Sequence, residues 1–316
     1  MIFEEFQAGL ASLSNRFVLT SLLPTVTGSL MILVLVLAES SSGHPDWAAA
    51  WQRITGANVV AIIAAALIAV VLALLLRPLH STLARITAGH WPAAARAVTR
   101  ARQRRHTRSR DRLAAAAADL PADPRAIGAD GLVQRAGAAG AALRERYPRG
   151  EVLPTALGNA VTAAVERAGS VYGLDAAVAW PRLYPLLPAD TRVIVDDRRA
   201  ALDAATVTAV TMAFTTVAAA ALLLRCDWWL LLVLVPAALG FAAYRGAVAA
   251  AVAYGHALDV AFDLHRFDLY RAMHLPAPAT LGAETQLARQ VCRQWRQGVA
   301  DPGIEYHHLA APGPGR

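Results

Sequence analysis

The chain has 316 residues, of which 56% are hydrophobic and 17% are charged, and its mean hydropathy is +0.39. Soluble domains carry about 25% charged and about 45–50% apolar residues, so this composition excludes an ordinary soluble domain. With two cysteines and 21 glycines, it also excludes a disulfide scaffold and a collagen-like chain. A membrane protein remains, with a formal net charge of +7 in which all 30 basic residues are arginine.

Four stretches of the chain are apolar enough to cross a bilayer, which takes about 20 mostly apolar residues. They run from Phe17 to Ala38, from Ile54 to Leu76, from Ala204 to Leu224 and from Trp228 to Ala243. The alternation of apolar and polar residues that is typical of β-strands is lacking. The sequence therefore predicts an all-α integral membrane protein with four transmembrane helices and a helical cytoplasmic region.

Arginine placement predicts the orientation of these spans, because arginine accumulates on the cytoplasmic side. Only Arg53 and Arg225 lie in the two short connections between spans, whereas the other 28 lie in the N-terminal tail, in 77–203 or from Arg245 onward. Both termini and the long inter-span segment are therefore expected in the cytoplasm. The chain is thus expected to be a multi-pass membrane protein with its N-terminus and C-terminus in the cytoplasm.

Tryptophan placement supports the same orientation independently of arginine. Trp47 and Trp51 precede the second span, and Trp228 and Trp229 open the fourth. All four fall at the expected outer interface, where amphipathic rings settle among lipid headgroups.

These predictions divide the chain into six segments. They are 1–16, a cytoplasmic N-terminal amphipathic segment; 17–76, the first transmembrane hairpin; 77–203, a cytoplasmic helical region; 204–247, the second hairpin; 248–300, a cytoplasmic helical extension; and 301–316, a flexible tail.

Within 77–203 we expect a long helix after Pro92 and two shorter helices at about 132–146 and 155–171. The segment from Tyr172 to Pro188 is expected to be irregular, because its prolines are closely spaced. A helix resumes at Asp190 and runs into the third span. After the fourth span the pattern stays helical to Met273, and a short helix follows from Leu281 to Val299.

A basic run on the long cytoplasmic helix is the first candidate site. Near an anionic leaflet each arginine contributes about 1 kcal/mol of attraction, so lipid-surface contact is the leading interpretation, ahead of a solvated or partner-facing helix. Nucleic acid is disfavoured, because the run has no interleaved aromatic residues and no recognisable motif. The run comprises Arg96, Arg100, Arg102, Arg104, Arg105, Arg108, Arg110 and Arg112.

A polar cluster after the fourth span is the second candidate. His256, Asp259 and Asp263 follow a spacing that puts them on one helix face, and such groups can hold a divalent metal. The alternative, which we favour, is that they form interhelical salt bridges with nearby arginines. An alternating charge pattern farther along the helix also indicates a cytoplasmic helical bundle held together by ion pairs. Its residues are Asp263, Arg266, Asp268 and Arg271.

Hydroxyl residues form a third candidate, on one face of the first and third spans. Small and hydroxylated residues allow close helix packing, and this interpretation is favoured over a polar path between protomers. No acidic residue or histidine lies in the middle of a span, which argues against a proton-coupled transporter. The hydroxyl residues are Ser21, Thr25 and Ser29 on the first span and Thr208, Thr211 and Thr215 on the third.

A resemblance to a known family is carried by four stretches: Leu157 to Asn159, Tyr172 to Asp175, Trp180 to Pro188 and Phe262 to Tyr270. These stretches resemble uncharacterised multi-pass membrane proteins of high-GC, actinobacterial-type bacteria. The resemblance implies a bacterial cell membrane and gives no activity.

The expected function is that of a non-enzymatic, oligomeric membrane protein, either channel-like or a signalling or effector protein. Its partners would be the bilayer with its anionic inner-leaflet lipids, further copies of the chain and a cytoplasmic protein. No cofactor is expected, since the sequence contains none of the common catalytic or phosphate-binding motifs. The alternatives are a membrane-embedded metal-dependent enzyme or lipid-binding protein that uses the His/Asp face, and an accessory subunit of a membrane complex.

Overall fold

The computed structural model describes residues 23–38, 44–58, 86–89, 91–120 and 130–306. In these residues the chain is helical and contains no strand. Its α-helices are α1 (Leu23–Leu37), α2 (Trp47–Thr55), α3 (Arg96–Ala118), α4 (Asp130–Arg146), α5 (Ala156–Arg167), α6 (Ala176–Leu183), α7 (Ala189–Leu223), α8 (Leu234–Ala272) and α9 (Leu281–Gln297).

Contacts between residues divide the chain into two compact units. Unit 1 consists of Met1–Pro92 and Arg199–Ala250, and unit 2 of Ala93–Arg198 and Ala251–Arg316. The segments 77–203 and 248–300, expected in the cytoplasm, fall largely in unit 2.

Two of the described helices are long and apolar enough to cross a membrane, where the sequence predicted four. They are Ala189–Leu223 and the combined helix Asp227–Ala272. The apolar stretch Val26–Leu37 of α1 is shorter, because twelve residues of α-helix extend about 18 Å against a hydrocarbon core of about 30 Å. The part of the first predicted span before Leu23 lies outside the described residues.

The predicted start of the second span at Ile54 is wrong. Helix α2 ends at Thr55, and the backbone N–H of Gly56 closes it by donating to the carbonyls of Gln52 and Ile54. Asp46 begins this helix, since its carboxylate accepts from the N–H of Ala49 at 2.9 Å. The remainder of the predicted span, from residue 59 to residue 76, lies outside the described residues.

In the fourth predicted span, residues Asp227–Val233 form a 3₁₀ helix before α8 begins at Leu234. Pro236 therefore lies in the first turn of α8, where a missing N–H costs no intrahelical hydrogen bond. The expectation that α8 continues past the apolar span is confirmed, because it ends at Ala272.

Unit 1 has a small apolar core at one end of its helices. Leu35, Leu223 and Cys226 are buried there together with Ala219. Trp229 packs against this core, and its ring lies 5.2 Å from that of Trp47 and 3.9 Å from that of Trp228. The connection after α1 and the connection after α7 therefore meet in one aromatic cluster.

In unit 2, α3 packs against α4, and α4 packs against α5. The two shorter helices predicted after the long basic helix are confirmed, with α5 beginning at Thr155, whose hydroxyl accepts from the N–H of Gly158 at 3.1 Å. The predicted last helix is also confirmed as α9, which begins at Thr280 in the same way and ends at Gly298. Hydroxyl N-caps of this kind satisfy backbone donors that the first turn leaves free.

The prediction of an irregular segment from Tyr172 to Pro188 is wrong, because α6 lies within it. Asp175 caps α6 by accepting from the N–H of Ala177 at 3.0 Å, and Leu183 is completely buried. Pro181 removes one backbone hydrogen bond from this eight-residue helix, a loss that the cap and the buried face offset. Pro185 opens a 3₁₀ turn and Pro188 precedes α7, so both lie where a helix begins.

Two glycines shape the loop between α5 and α6. Gly169 and Gly173 have φ of +70° and +79°, a region that other residues rarely adopt. A Cβ at Gly169 would lie 2.9 Å from the ring of Phe262, and one at Gly173 would lie 2.8 Å from the backbone oxygen of Thr285. This loop can therefore pack against α8 and α9 only with glycine at both positions.

Candidate functional site

The three residues of the predicted polar cluster lie on α8, and each contacts a different neighbour. Asp259 accepts from Arg167 Nε on α5 at 2.7 Å. His256 Nε2 lies 3.1 Å from a carboxylate oxygen of Glu145 on α4.

The third member, Asp263, accepts a hydrogen bond from the hydroxyl of Tyr172 at 2.8 Å. This hydrogen bond, followed by burial, raises the pKa of Tyr172 above its ordinary value. Among the described residues, no group of three or more His, Cys, Asp and Glu side chains is arranged to hold a metal ion. The contact of Asp259 with Arg167 is an interhelical salt bridge, which is the kind of contact that the favoured interpretation of the sequence predicted.

Close approach of α8 to α5 makes the Arg167–Asp259 pair possible. A Cβ at Gly255 would lie 2.7 Å from Cβ of Ala164 and 2.8 Å from NH2 of Arg167. The side chains of Arg167 and Asp259 are 17% and 27% exposed, so the pair is largely removed from water. Such pairs cost desolvation and lock the geometry of the helices that carry them.

A second ion pair, between Arg266 on α8 and Glu284 in the first turn of α9, is more deeply buried. Arg266 Nε donates to Glu284 Oε1 at 2.8 Å, and the two side chains are 16% and 5% exposed. The guanidinium also lies 3.9 Å above the ring of Tyr172 and hydrogen-bonds the backbone oxygen of Asp263. Arg266 thus joins α8, α9 and the glycine-bounded loop.

Further polar contacts line the same helix. His265 lies 3.2 Å from Thr191 through Nε2 and 3.2 Å from Asp268 through Nδ1, and Asp268 also accepts from Arg271 at 3.0 Å. Three of the alternating charges, Arg266, Asp268 and Arg271, therefore form ion pairs, whereas Asp263 accepts from Tyr172. The sequence did not reveal the partners Arg167, Tyr172 and Glu284, because they come from α5, the following loop and α9.

Aromatic and sulfur contacts hold α6 between α8 and α9. Trp180 packs on Phe262 with ring centroids 6.0 Å apart, and the guanidinium of Arg182 lies 4.5 Å above the ring of Trp295. Cys292 Sγ accepts from the N–H of Asp175 at 3.3 Å. Burial, opposed by nearby Arg182, raises the pKa of Cys292 to about 11, so its thiol stays protonated at neutral pH.

Two of the hydroxyl residues, Thr211 and Thr215 of α7, face Gly28 of α1 in unit 1. Thr215 is 1% exposed and donates to the carbonyl of Thr211 at 2.9 Å, and Thr208 donates to that of Ala204 at 2.8 Å. A Cβ at Gly28 of α1 would lie 2.7 Å from Oγ1 of Thr215 and 3.0 Å from Thr211. This contact favours the packing interpretation over a polar path.

The remaining members of that face are on α1. Ser29 is half-buried, whereas Ser21 and the side chain of Thr25 lie outside the described residues. The hydroxyls of Thr208 and Thr215 are already engaged by their own helix backbone, as is common for threonine in apolar helices.

The basic run lies on α3, which has no buried residue. Seven of its eight arginines are exposed, and only Arg110 is partly buried. Arg110 pairs with Asp111 at 3.3 Å, and Gln103 joins α3 to Glu151 and to the carbonyl of Val152. The seven exposed guanidinium groups are therefore accessible to solvent or to a charged surface.

Comparison of the chain with protein-family models, curated proteins and solved structures found no match.

Proposed function

We propose that the chain is a non-enzymatic, multi-pass protein of the bacterial cell membrane, in which unit 1 provides the membrane anchor and unit 2 is a cytoplasmic effector domain that binds a partner. The observation that carries this proposal is the large apolar surface that unit 1 leaves uncovered. The two helices long and apolar enough to span a membrane are only 28% and 11% buried over their most apolar windows. Core helices of a soluble protein would be mostly buried.

Individual side chains make this surface explicit. Phe214, Val217 and Leu224 on α7 are 63%, 69% and 72% exposed. Phe241 on α8 is 66% exposed, and Leu231 before it is 63% exposed. Burying such a side chain stabilises by about 1.5–3 kcal/mol, so this many exposed large apolar side chains favour an apolar phase around unit 1. A bilayer supplies that phase.

The contact of Trp47 with Trp229 supports the four-span topology. It joins the connection after α1 to the connection after α7 at one end of unit 1. A four-span chain with cytoplasmic termini requires these two connections on the same, outer side. Both connections carry tryptophan, which favours the membrane–water interface. Each carries a single arginine, as expected on the outer side.

Of the two functional classes predicted, the effector class is the better supported. A polar path would need hydroxyls free to face it, and those of Thr208 and Thr215 are engaged by carbonyls of their own helix. Unit 2, by contrast, presents an arginine-rich exposed helix suited to an acidic partner or an anionic leaflet. The homo-oligomer and the identity of the protein partner stay predictions.

Cysteine labelling on intact cells tests the membrane proposal, because both native cysteines are buried. His44→Cys lies in the connection expected outside, and Asp119→Cys lies after α3 in unit 2; both positions are exposed. We expect a membrane-impermeant maleimide to label His44→Cys in intact cells and Asp119→Cys only after the membrane is opened.

The unsubstituted chain is the control for background labelling, and carbonate extraction of membranes is the second measurement. The chain should stay in the carbonate-resistant pellet. Labelling of Asp119→Cys in intact cells, or release of the chain by carbonate, would overturn the proposal.

A further inference from the structure

A cavity of about 470 Å³ lies in unit 2, between α3, α4, the turn after α4 and α5. Its volume is within the range of about 300–1,000 Å³ that small-molecule sites occupy. Four arginines line it, namely Arg110, Arg144, Arg149 and Arg167. They come from three helices and a turn, so only the folded unit brings them together.

The acidic residues of the cavity do not balance these arginines. Two carboxylates, Asp111 and Glu166, line it with them. Asp111 is paired with Arg110, and Glu166 accepts the backbone N–H of Arg149 at 2.6 Å. Among the residues that the structure describes, the guanidinium groups of Arg144 and Arg149 have no carboxylate partner. The four arginines face three carboxylates, Asp111, Glu166 and the Asp259 that pairs with Arg167, so one positive charge remains in excess.

Arg167 is held in place from outside the cavity. Its Nε donates to Asp259 at 2.7 Å and its NH1 donates to the carbonyl of Arg144 at 3.3 Å. Its NH2 is buried and has no hydrogen-bond partner in the described part of the chain. The ion pair with α8 thus fixes one wall of the cavity, next to the end of α4 that carries Arg144.

The rest of the lining is apolar and aromatic. Leu143, Pro148 and Tyr147 contribute to it, and the ring of His106 lies against that of Tyr147 at 6.2 Å. An inorganic anion alone would leave this surface unused. Paired guanidinium groups match the oxygens of a phosphate group, which accept bidentate hydrogen bonds, and an aromatic wall suits an attached organic group.

We infer that this cavity binds an organic phosphate, with Arg144 and Arg149 on the phosphate group and Tyr147 beside the organic part. The phosphate can belong to a soluble small molecule or to an anionic lipid headgroup. The inference goes beyond the proposed function and does not depend on it, because every residue of the cavity lies in unit 2 and the labelling experiment is independent of it.

Titration calorimetry of the full-length chain in detergent, with phenyl phosphate as the probe, tests the soluble source. We expect binding that is weakened at least tenfold in the double variant Arg144→Gln/Arg149→Gln. The charge-matched control is Arg146→Gln/Arg135→Gln, which removes two exposed arginines of α4 that do not line the cavity and should change the affinity less than twofold. Phenol, which lacks the phosphate, should not bind.

Native mass spectrometry of the same proteins, after reconstitution with phosphatidylglycerol or phosphatidylcholine, tests the lipid source. If phosphatidylglycerol is retained by the unsubstituted chain and by the control, and lost from the Arg144/Arg149 variant, the phosphate belongs to a lipid. Circular dichroism confirms that all variants keep their helix content.

The inference is overturned if neither probe binds, or if both double variants lose binding equally, which would indicate general charge attraction. It is also overturned if phenol binds as well as phenyl phosphate.

Discussion

The helices of unit 1 and of unit 2 pack through different kinds of contact. In unit 2, α8 brings charged side chains into the interior, where Asp259 and Arg266 meet Arg167 and Glu284 from helices distant in sequence. In unit 1, α1 approaches α7 through Gly28 and Thr215, whose hydroxyl bonds to its own helix, and through the small apolar core that contains Leu35 and Leu223.

The difference indicates what surrounds each unit. In the proposed aqueous surroundings of unit 2, a helix gains stability by burying its apolar face, which is consistent with the burial of Phe262 and Tyr270 and with the exposure of seven of the eight arginines of the basic run. In the proposed bilayer, the helices of unit 1 would gain nothing from burying leucine, which is consistent with its exposed large apolar residues and with the close contact of Gly28 and Thr215. Helix α8 contributes residues to both units.

The largest expected effect is on the buried ion pair of unit 2. Glu284→Ala removes the partner of Arg266 and leaves a charge in a site where the arginine is 16% exposed. We expect the free energy of unfolding to fall by about 3–5 kcal/mol. Chemical unfolding in detergent, followed by circular dichroism, measures it. Arg271→Ala is the control, since that side chain is 73% exposed and should cost less than about 1 kcal/mol. Equal losses in both variants would contradict the distinction between buried and surface pairs.

Gly173→Ala is expected to destabilise unit 2 by about 2–3 kcal/mol, because the new Cβ meets the backbone of Thr285 at a position with positive φ. Gly137→Ala is the matched control. It lies inside α4 with open space around it, so it should stabilise by about 0.5–1 kcal/mol. The same unfolding measurement compares them, and a neutral Gly173→Ala would mean that the loop does not pack on α9 as described.

For unit 1, Gly28→Ala tests whether the glycine–threonine contact holds α1 against α7. The added methyl group would lie 2.7 Å from Thr215 Oγ1, and we expect a loss of about 1–2 kcal/mol in thermal unfolding in detergent. Thr215→Ala makes room, so Gly28→Ala/Thr215→Ala should recover part of the loss. Gly246→Ala, which has open space, should have little effect. Absence of any recovery in the double variant would argue against this contact.

The smallest expected effect is a pH dependence from Cys292. Burial raises the pKa of its thiol to about 11 in the folded chain, against 9.0 for an unperturbed thiol. Between these values the unfolded chain binds fewer protons than the folded one, so stability falls as pH rises from about 9 to about 11. The serine of Cys292→Ser stays neutral over that range. We therefore expect the free energy of unfolding of this variant to fall by about 1 kcal/mol less than that of the unsubstituted chain. If the free energy of unfolding falls equally with pH in the two proteins, the thiol does not contribute to the pH dependence.

The sequence predicted most helices correctly where one signal dominated. Apolar length gave the region of α7, and the helical pattern after the fourth predicted span gave the continuation of α8 and the short helix α9. It failed where a local signal opposed a tertiary one: the prolines of 172–188 suggested irregular structure, but the cap at Asp175 and the burial of Leu183 allow α6 to form. It also placed a span start at Ile54, because apolar content does not reveal the helix end at Gly56.

For the candidate sites, the spacing along α8 predicted a polar face but could not identify its partners. Glu284 and Arg167 carry no distinguishing signal in the sequence, since each is one of many charged residues. The cavity around Arg144 and Arg149 was not predictable either, because its walls come from α3, α4 and α5 and no motif joins them.

Composition and periodicity determined that this chain is helical and rich in membrane-length apolar sequence, because burial tendency and helix period are properties of each segment alone. Only the tertiary structure decided that the His/Asp face of α8 is divided among three neighbours, that the threonines of α7 pack against Gly28, and that four arginines enclose a cavity. Those outcomes depend on which surfaces meet at distances of a few ångströms, and pairwise contacts between remote segments leave no periodic trace in the sequence.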